Sequence, residues 1–194
     1  APVAADLAAL PGRPRIEHAM VLDARDAAAI AGVGAVVVAQ PAQVRDLGDA
    51  LRRWPLPGPS RWLPLRTLLD AGVEVAVGSD FPAGDGDVLA AVAAAVTRRT
   101  AAGLPLHPEE AVTVEEALRA ATATAARALG VDDAGVLRVG ARADLVVLSA
   151  DPTATPVETL GEIAVLATYV AGVPAFVADA APAGLRRAGA GASG

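Results

Sequence analysis

Val73-Glu74-Val75-Ala76-Val77-Gly78-Ser79-Asp80-Phe81-Pro82 is an apolar, β-branched run that ends in a carboxylate, with a proline behind it. A strand buried on both faces of a parallel sheet reads as such a run. Asp80 stands where the strand gives way to a loop. In α/β barrels, residues at the C-terminal ends of the strands carry the chemistry. On position alone Asp80 is a metal ligand, a general base, or a loop carboxylate capping the next helix.

The flanking sequence repeats the pattern. Ala35-Val36-Val37-Val38-Ala39-Gln40 is a second buried strand, stopped by Pro41, and Arg15 to Met20 reads as a third, carrying His18 near its end. Between them Asp23 can cap a helix to about Ala31, residues 44–53 carry a helical pattern, and Leu65 to Ala71 is a helix closed by Gly72. Pro55, Pro57 and Pro59 make residues 54–59 a loop. Strand, helix, strand, helix, strand implies parallel βα units. Residues 2–10 look like the end of a helix.

Beyond Asp80, an Ala-rich helix is expected over about 87–101. Thr113-Val114-Glu115-Glu116 has the capping-box spacing and opens a helix to Leu129, closed by Gly130. Four short extended pieces follow, at 135–140, 143–148, 165–170 and 174–177, the last two reading as a hairpin. Three segments result: 1–130, 131–180, and a terminal 181–194 rich in Ala, Gly and Pro and expected to be disordered.

Composition narrows the chemistry. The chain has 194 residues, is 54% hydrophobic and only 3% aromatic, so its core is built of small side chains. All 16 basic residues are Arg, which excludes Lys Schiff bases and a carbamylated-Lys bridge. There is no Cys, so no disulfide, thiolate metal site or Cys nucleophile. A net charge of -6 and no basic stripe argue against nucleic acid. No apolar run is long enough for a membrane span. The first residues lack a signal-peptide pattern, and the expected location is cytoplasmic.

The remaining polar residues divide by context. A lone histidine such as His18 is more often a packed side chain than a ligand. His107 sits between Pro105 and Pro108 in a surface loop. Glu17 points to the face opposite its neighbour and pairs with an Arg or caps a helix. Ser79 lacks a histidine to activate it and fits a tight turn. Gln40 either faces the site mouth or makes a structural hydrogen bond. Phe81 and Trp62 are candidate substrate contacts.

The ordered motifs Arg15-Ile16-Glu17-His18-Ala19, Val38-Ala39-Gln40-Pro41, Pro64 to Val73, Gly78-Ser79-Asp80-Phe81-Pro82, Thr113 to Leu118 and Gly135 to Leu148 resemble the C-terminal portion of metal-dependent amidohydrolases. The nearest likeness is to amidohydrolase family 3, the N-substituted formamide deformylase-like enzymes, over roughly residues 13 to 178. The resemblance implies an α/β fold: the last part of a (β/α)8 barrel (strands six to eight) plus part of a small β-sandwich. It implies that His18 is a metal ligand and that Asp80 binds metal and takes a proton from metal-activated water. Gln40 and Phe81 are then substrate-binding candidates, the cofactor is a divalent metal, zinc by its donors, and the substrate is a small-molecule amide or formamide. The family's His-x-His pair, bridging ligand and strand-five His are absent, and a complete barrel needs about 250 residues. The chain is therefore expected to be a C-terminal fragment, inactive alone. The alternative is a catalytically dead remnant serving as an assembly or binding module, with a homo-oligomer covering its open edges.

Overall fold

The computed structural model describes residue 9 and residues 12–185. The helix expected over 2–10 thus lies outside the described residues except at residue 9. Three strands, β1 (Arg15–Glu17), β3 (Val36–Ala39) and β5 (Glu74–Val77), form one parallel sheet in the order β1-β3-β5. The register runs Glu17↔Val38 and Ala39↔Val77. Two further segments, β2 (Val21–Leu22) and β4 (Arg61–Trp62), make an antiparallel ribbon too short for any periodicity to announce.

Helices α1 (Ala24–Gly32), α2 (Ala42–Leu51), α3 (Leu65–Asp70) and α4 (Val88–Thr97) connect and follow the strands. α1 begins where the sequence places it: Asp23 Oδ1 accepts from the backbone of Arg25 and Asp26, and Asp26 Oδ2 accepts from Asp23 N. α3 starts after Pro64, which supplies no side-chain cap. Its orphan donor is met from 43 residues away, by Glu110 Oε2 accepting from Thr67 N at 2.9 Å while Oε1 takes the Thr67 hydroxyl. The core packs Val37, Ala39, Val73 and Val75 against Ala27, Ile30, Leu65, Leu68 and Val92. Alternate residues of two strands thus face one helical layer.

Several boundaries move. β1 stops at Glu17 rather than near Met20, because His18 and Ala19 turn to φ 67° and 48°. α4 ends at Thr97, capped by Arg98 in the left-handed region. The Arg98 guanidinium is fully buried and donates to the carbonyls of Trp62, Leu63 and Leu106. The expected 113–129 helix opens with the Thr113–Glu116 capping box as α5 (Val114–Arg119), widens to a π-helical Ala120–Thr124, and continues as α6 (Ala125–Ala128).

Residues 135–140, expected to be extended, form bends and turns. Gly135 has φ 74°, and a Cβ there would lie 2.6 Å from the Thr122 carbonyl oxygen, so it seats the chain on the π-helical segment. The three remaining extended pieces appear as β6 (Leu145–Leu148), β7 (Val165–Val170) and β8 (Val173–Val177), an antiparallel sheet in that order. The expected hairpin is β7–β8. The 3-10 helix Val157–Glu162 packs on α4 and buries Leu160. In the terminal segment expected to be disordered, Ala181 is buried, and residues 186–194 lie outside the described residues. Among the described residues no helix is long and apolar enough to cross a membrane.

Candidate active-site edge of the parallel sheet

Because β1, β3 and β5 run parallel, their C-terminal ends share one edge of the sheet. His18 follows β1 directly, Gln40 follows β3 directly, and Asp80 lies three residues past β5. The ladder extends just beyond the strands: His18 N donates to Val38 O and Gly78 N to Ala39 O, both at 2.9 Å. β1 and β5 flank β3, so at an interstrand spacing of about 4.8 Å their axes lie about 10 Å apart.

His18 and Asp80 share two unusual properties. Both are non-glycine residues in the left-handed region, at φ 67° and 59°. That conformation costs an ordinary L-residue about 1–2 kcal/mol, and such strain collects at functional sites. Neither the imidazole nor the carboxylate makes a hydrogen bond or ion pair among the described residues. His18 is half-buried and Asp80 exposed.

Gln40 completes the row. It is 3% exposed, its Nε2 donates to Val38 O at 3.1 Å, and its Oε1 is buried without a partner. The structural hydrogen bond expected as one of the two readings is present at Nε2, and Oε1 remains an acceptor without a partner. Gly78 makes room beside it, since a Cβ there would lie 2.9 Å from Val38 Cγ1 and 3.6 Å from Gln40 Nε2.

Phe81 is 74% exposed beside Asp80. Ser79 Oγ accepts from Phe81 N, the turn role expected for it. Glu17 pairs with Arg15 at 2.7 Å. His107 Nδ1 contacts Glu109 Oε1 at 3.0 Å. Trp62 is buried against Val44, Leu63 and Leu106, which makes it a core residue rather than a substrate contact.

A cavity of about 270 Å³ opens beside the Asp80 turn, lined by Val77, Gly78, Ser79, Asp85 and Ala121 among others. A roomier one of about 550 Å³ is lined by Asp23, Arg61, Arg66, Thr67, Glu109 and Glu110. Most of its charged groups are committed, Arg61 to Glu109, Arg66 to Glu116 and Glu110 to Thr67, while the Arg25 guanidinium there is not, among the described residues. Size is therefore a poor guide here, and unspent donors and acceptors are the better one. The local sequence pattern also hides Arg45 and Asp85, which meet at 2.7 Å although 40 residues apart.

A catalytic zinc takes three protein ligands plus water. Among the described residues no three His, Asp or Glu side chains gather as a cation site requires. His18 and Asp80 fit a divalent cation in kind but not in number.

The chain matches the description "Amidohydrolase family" over residues 4–176. It is 38% identical over 162 residues to the N-substituted formamide deformylase of Arthrobacter pascens, covering 82% of this chain and 30% of that protein. It is 39% identical over 147 residues to the imidazolonepropionase of Saccharopolyspora erythraea, covering 74% and 33%. Among solved structures it resembles an adenosine deaminase from Xanthomonas campestris with bound zinc, at TM-score 0.60 and 27% identity, over 90% of this chain and 40% of that one. The zinc complex of an E241Q mutant of the atrazine chlorohydrolase TrzN from Arthrobacter aurescens TC1 gives TM-score 0.60 and 26% identity, over 91% and 39%. The chain thus spans about a third of the length of the curated relatives it matches. By the extent of the family match and the order of its motifs, this mixed α/β chain belongs to the amidohydrolase family, in amidohydrolase family 3.

Proposed function

We propose that the chain is part of a metal-dependent hydrolase of C–N bonds in small amides or formamides, supplying the ends of the last three strands of a (β/α)8 barrel. Residues 1–130 would be the barrel portion and 131–180 a share of the neighbouring β-sandwich. One observation carries the reading: His18 and Asp80 are both strained, both unpartnered, and on the same edge of one parallel sheet. Likeness to a formamide deformylase and to zinc-containing structures supports it.

A divalent cation, zinc by the donor types, would polarise the substrate carbonyl and acidify a water. His18 would hold it through a ring nitrogen, with the missing donors coming from residues outside this sequence. The Asp80 carboxylate accepts the proton of the attacking water and returns it to the leaving nitrogen. Gln40 Oε1 is an acceptor for a substrate N–H, and the exposed Phe81 ring covers apolar substrate surface.

The incomplete donor set favours a second reading, a non-catalytic assembly module. Amine release from N-substituted formamides by the protein as encoded separates the two. Asp80→Asn, which tolerates the left-handed backbone, is expected to lower kcat by about 10²–10⁴-fold. Turnover that survives this substitution contradicts the assignment.

A further inference from the structure

The Asp80 side chain has no contact that fixes it, and its backbone conformation is unfavourable. Something nearby must hold the turn. Ala83 N and Gly84 N both donate to Asp80 O, at 2.8 and 3.1 Å. Gly84 lies so close to the strand end that a Cβ would sit 2.0 Å from Ser79 O. The next residue is the anchor. Asp85 Oδ2 accepts from Arg45 Nη2 at 2.7 Å, and Asp85 Oδ1 accepts from Asp87 N at 2.9 Å. Asp87 in turn caps α4 by accepting from Ala90 N.

Arg45 is itself braced. Its Nε and Nη2 meet the two carboxylate oxygens of Asp46 at 2.6 and 3.2 Å. It sits in α2, the helix that begins just past Gln40 at the end of the central strand. A planar guanidinium can hold two carboxylates at once, which an ammonium does poorly.

We infer that Arg45 is a positioning residue: through Asp85 it latches the turn after β5 to α2 and so holds Asp80 over the edge shared with His18 and Gln40. This rests on the reading above, in which Asp80 acts on the substrate. The pair is partly exposed, with side chains 33% and 51% accessible. Exposed pairs add little to global stability, so local order and overall stability can be separated.

The test uses NMR on the 194-residue chain. Hydrogen exchange of the Ala83 and Gly84 amides and the backbone HN–Hα coupling of Asp80 are compared in wild type, Arg45→Ala, Asp85→Asn and Arg45→Lys. Arg45→Ala and Asp85→Asn are expected to speed exchange of those two amides about two- to fivefold, with the unfolding midpoint nearly unchanged. The Asp80 backbone coupling should fit one left-handed conformation in wild type and show averaging in both variants, with partial recovery in Arg45→Lys. Couplings and exchange that stay at wild-type values in Arg45→Ala overturn the latch, as does averaging already present in wild type. If hydrolysis proves independent of Asp80 while the couplings respond as described, the catalytic reading fails and the latch stands.

Discussion

At the residue scale, the site and the core use strain and burial in opposite ways. Asp80 tolerates a left-handed backbone that glycine adopts freely. Asp80→Gly is therefore expected to be more stable than Asp80→Ala by about 1 kcal/mol in urea unfolding. Equal stabilities would mean that position 80 is unstrained. Arg98 does structural work. Burial pushes its guanidinium down to about 10, against the opposing charges of Glu110 and Glu109. Arg98→Met removes the buried donor shared by the carbonyls of Trp62, Leu63 and Leu106, and the expected loss is about 3 kcal/mol. A loss below about 1 kcal/mol in the same unfolding experiment would contradict this role. Nothing local in the sequence marks Arg98 as buried. Only the fold shows that it turns inward, because its acceptors lie 8 to 36 residues away. His18 and Asp80 were legible because apolar strands end beside them. The unpaired Oε1 of Gln40 was not, since a side chain's partners are set by tertiary packing.

At the element scale, local signals marked the starts of helices better than their ends. Asp23 and Thr113 announce α1 and α5 by capping boxes written within four residues. The Glu110 cap of α3, the β2–β4 ribbon and the π-helical Ala120–Thr124 depend on distant contacts and left no local pattern. The Thr113 cap gives a pH-dependent expectation. Partial burial raises the Glu116 carboxyl, but the Thr113 backbone N–H and the Arg66 guanidinium outweigh it and hold the group below its ordinary value near 4.5. Its folded-state pKa is thus below the unfolded one. The stability it contributes is present above about pH 4.5 and is lost as pH falls through the depressed value. Thr113→Ala is expected to cost about 1 kcal/mol near neutral pH. Glu116→Gln should flatten the acid limb of the stability profile, measured by urea midpoints from pH 3 to pH 7. An unchanged limb would show that the carboxylate is not held as described.

At the scale of the whole molecule, His18, Gln40 and Asp80 follow the C-terminal ends of the three parallel strands, and among the described residues no cluster of three metal-ligating side chains forms there. Alternation of strands and helices made the βα order readable, and the motif order placed His18 and Asp80 in it. That His18 and Asp80 follow strands of one sheet needed the parallel register, which no single segment encodes. The proposed function requires that His18 and Asp80 share one cation position. Mn2+ titrated into the isotope-labelled chain tests it most directly, because paramagnetic broadening reports weak binding. The His18 ring and Asp80 signals are expected to broaden together at the same Mn2+ concentration, and His18→Ala or Asp80→Asn to abolish the effect at both. Broadening at one without the other, or first at His107 and Glu109, would contradict it.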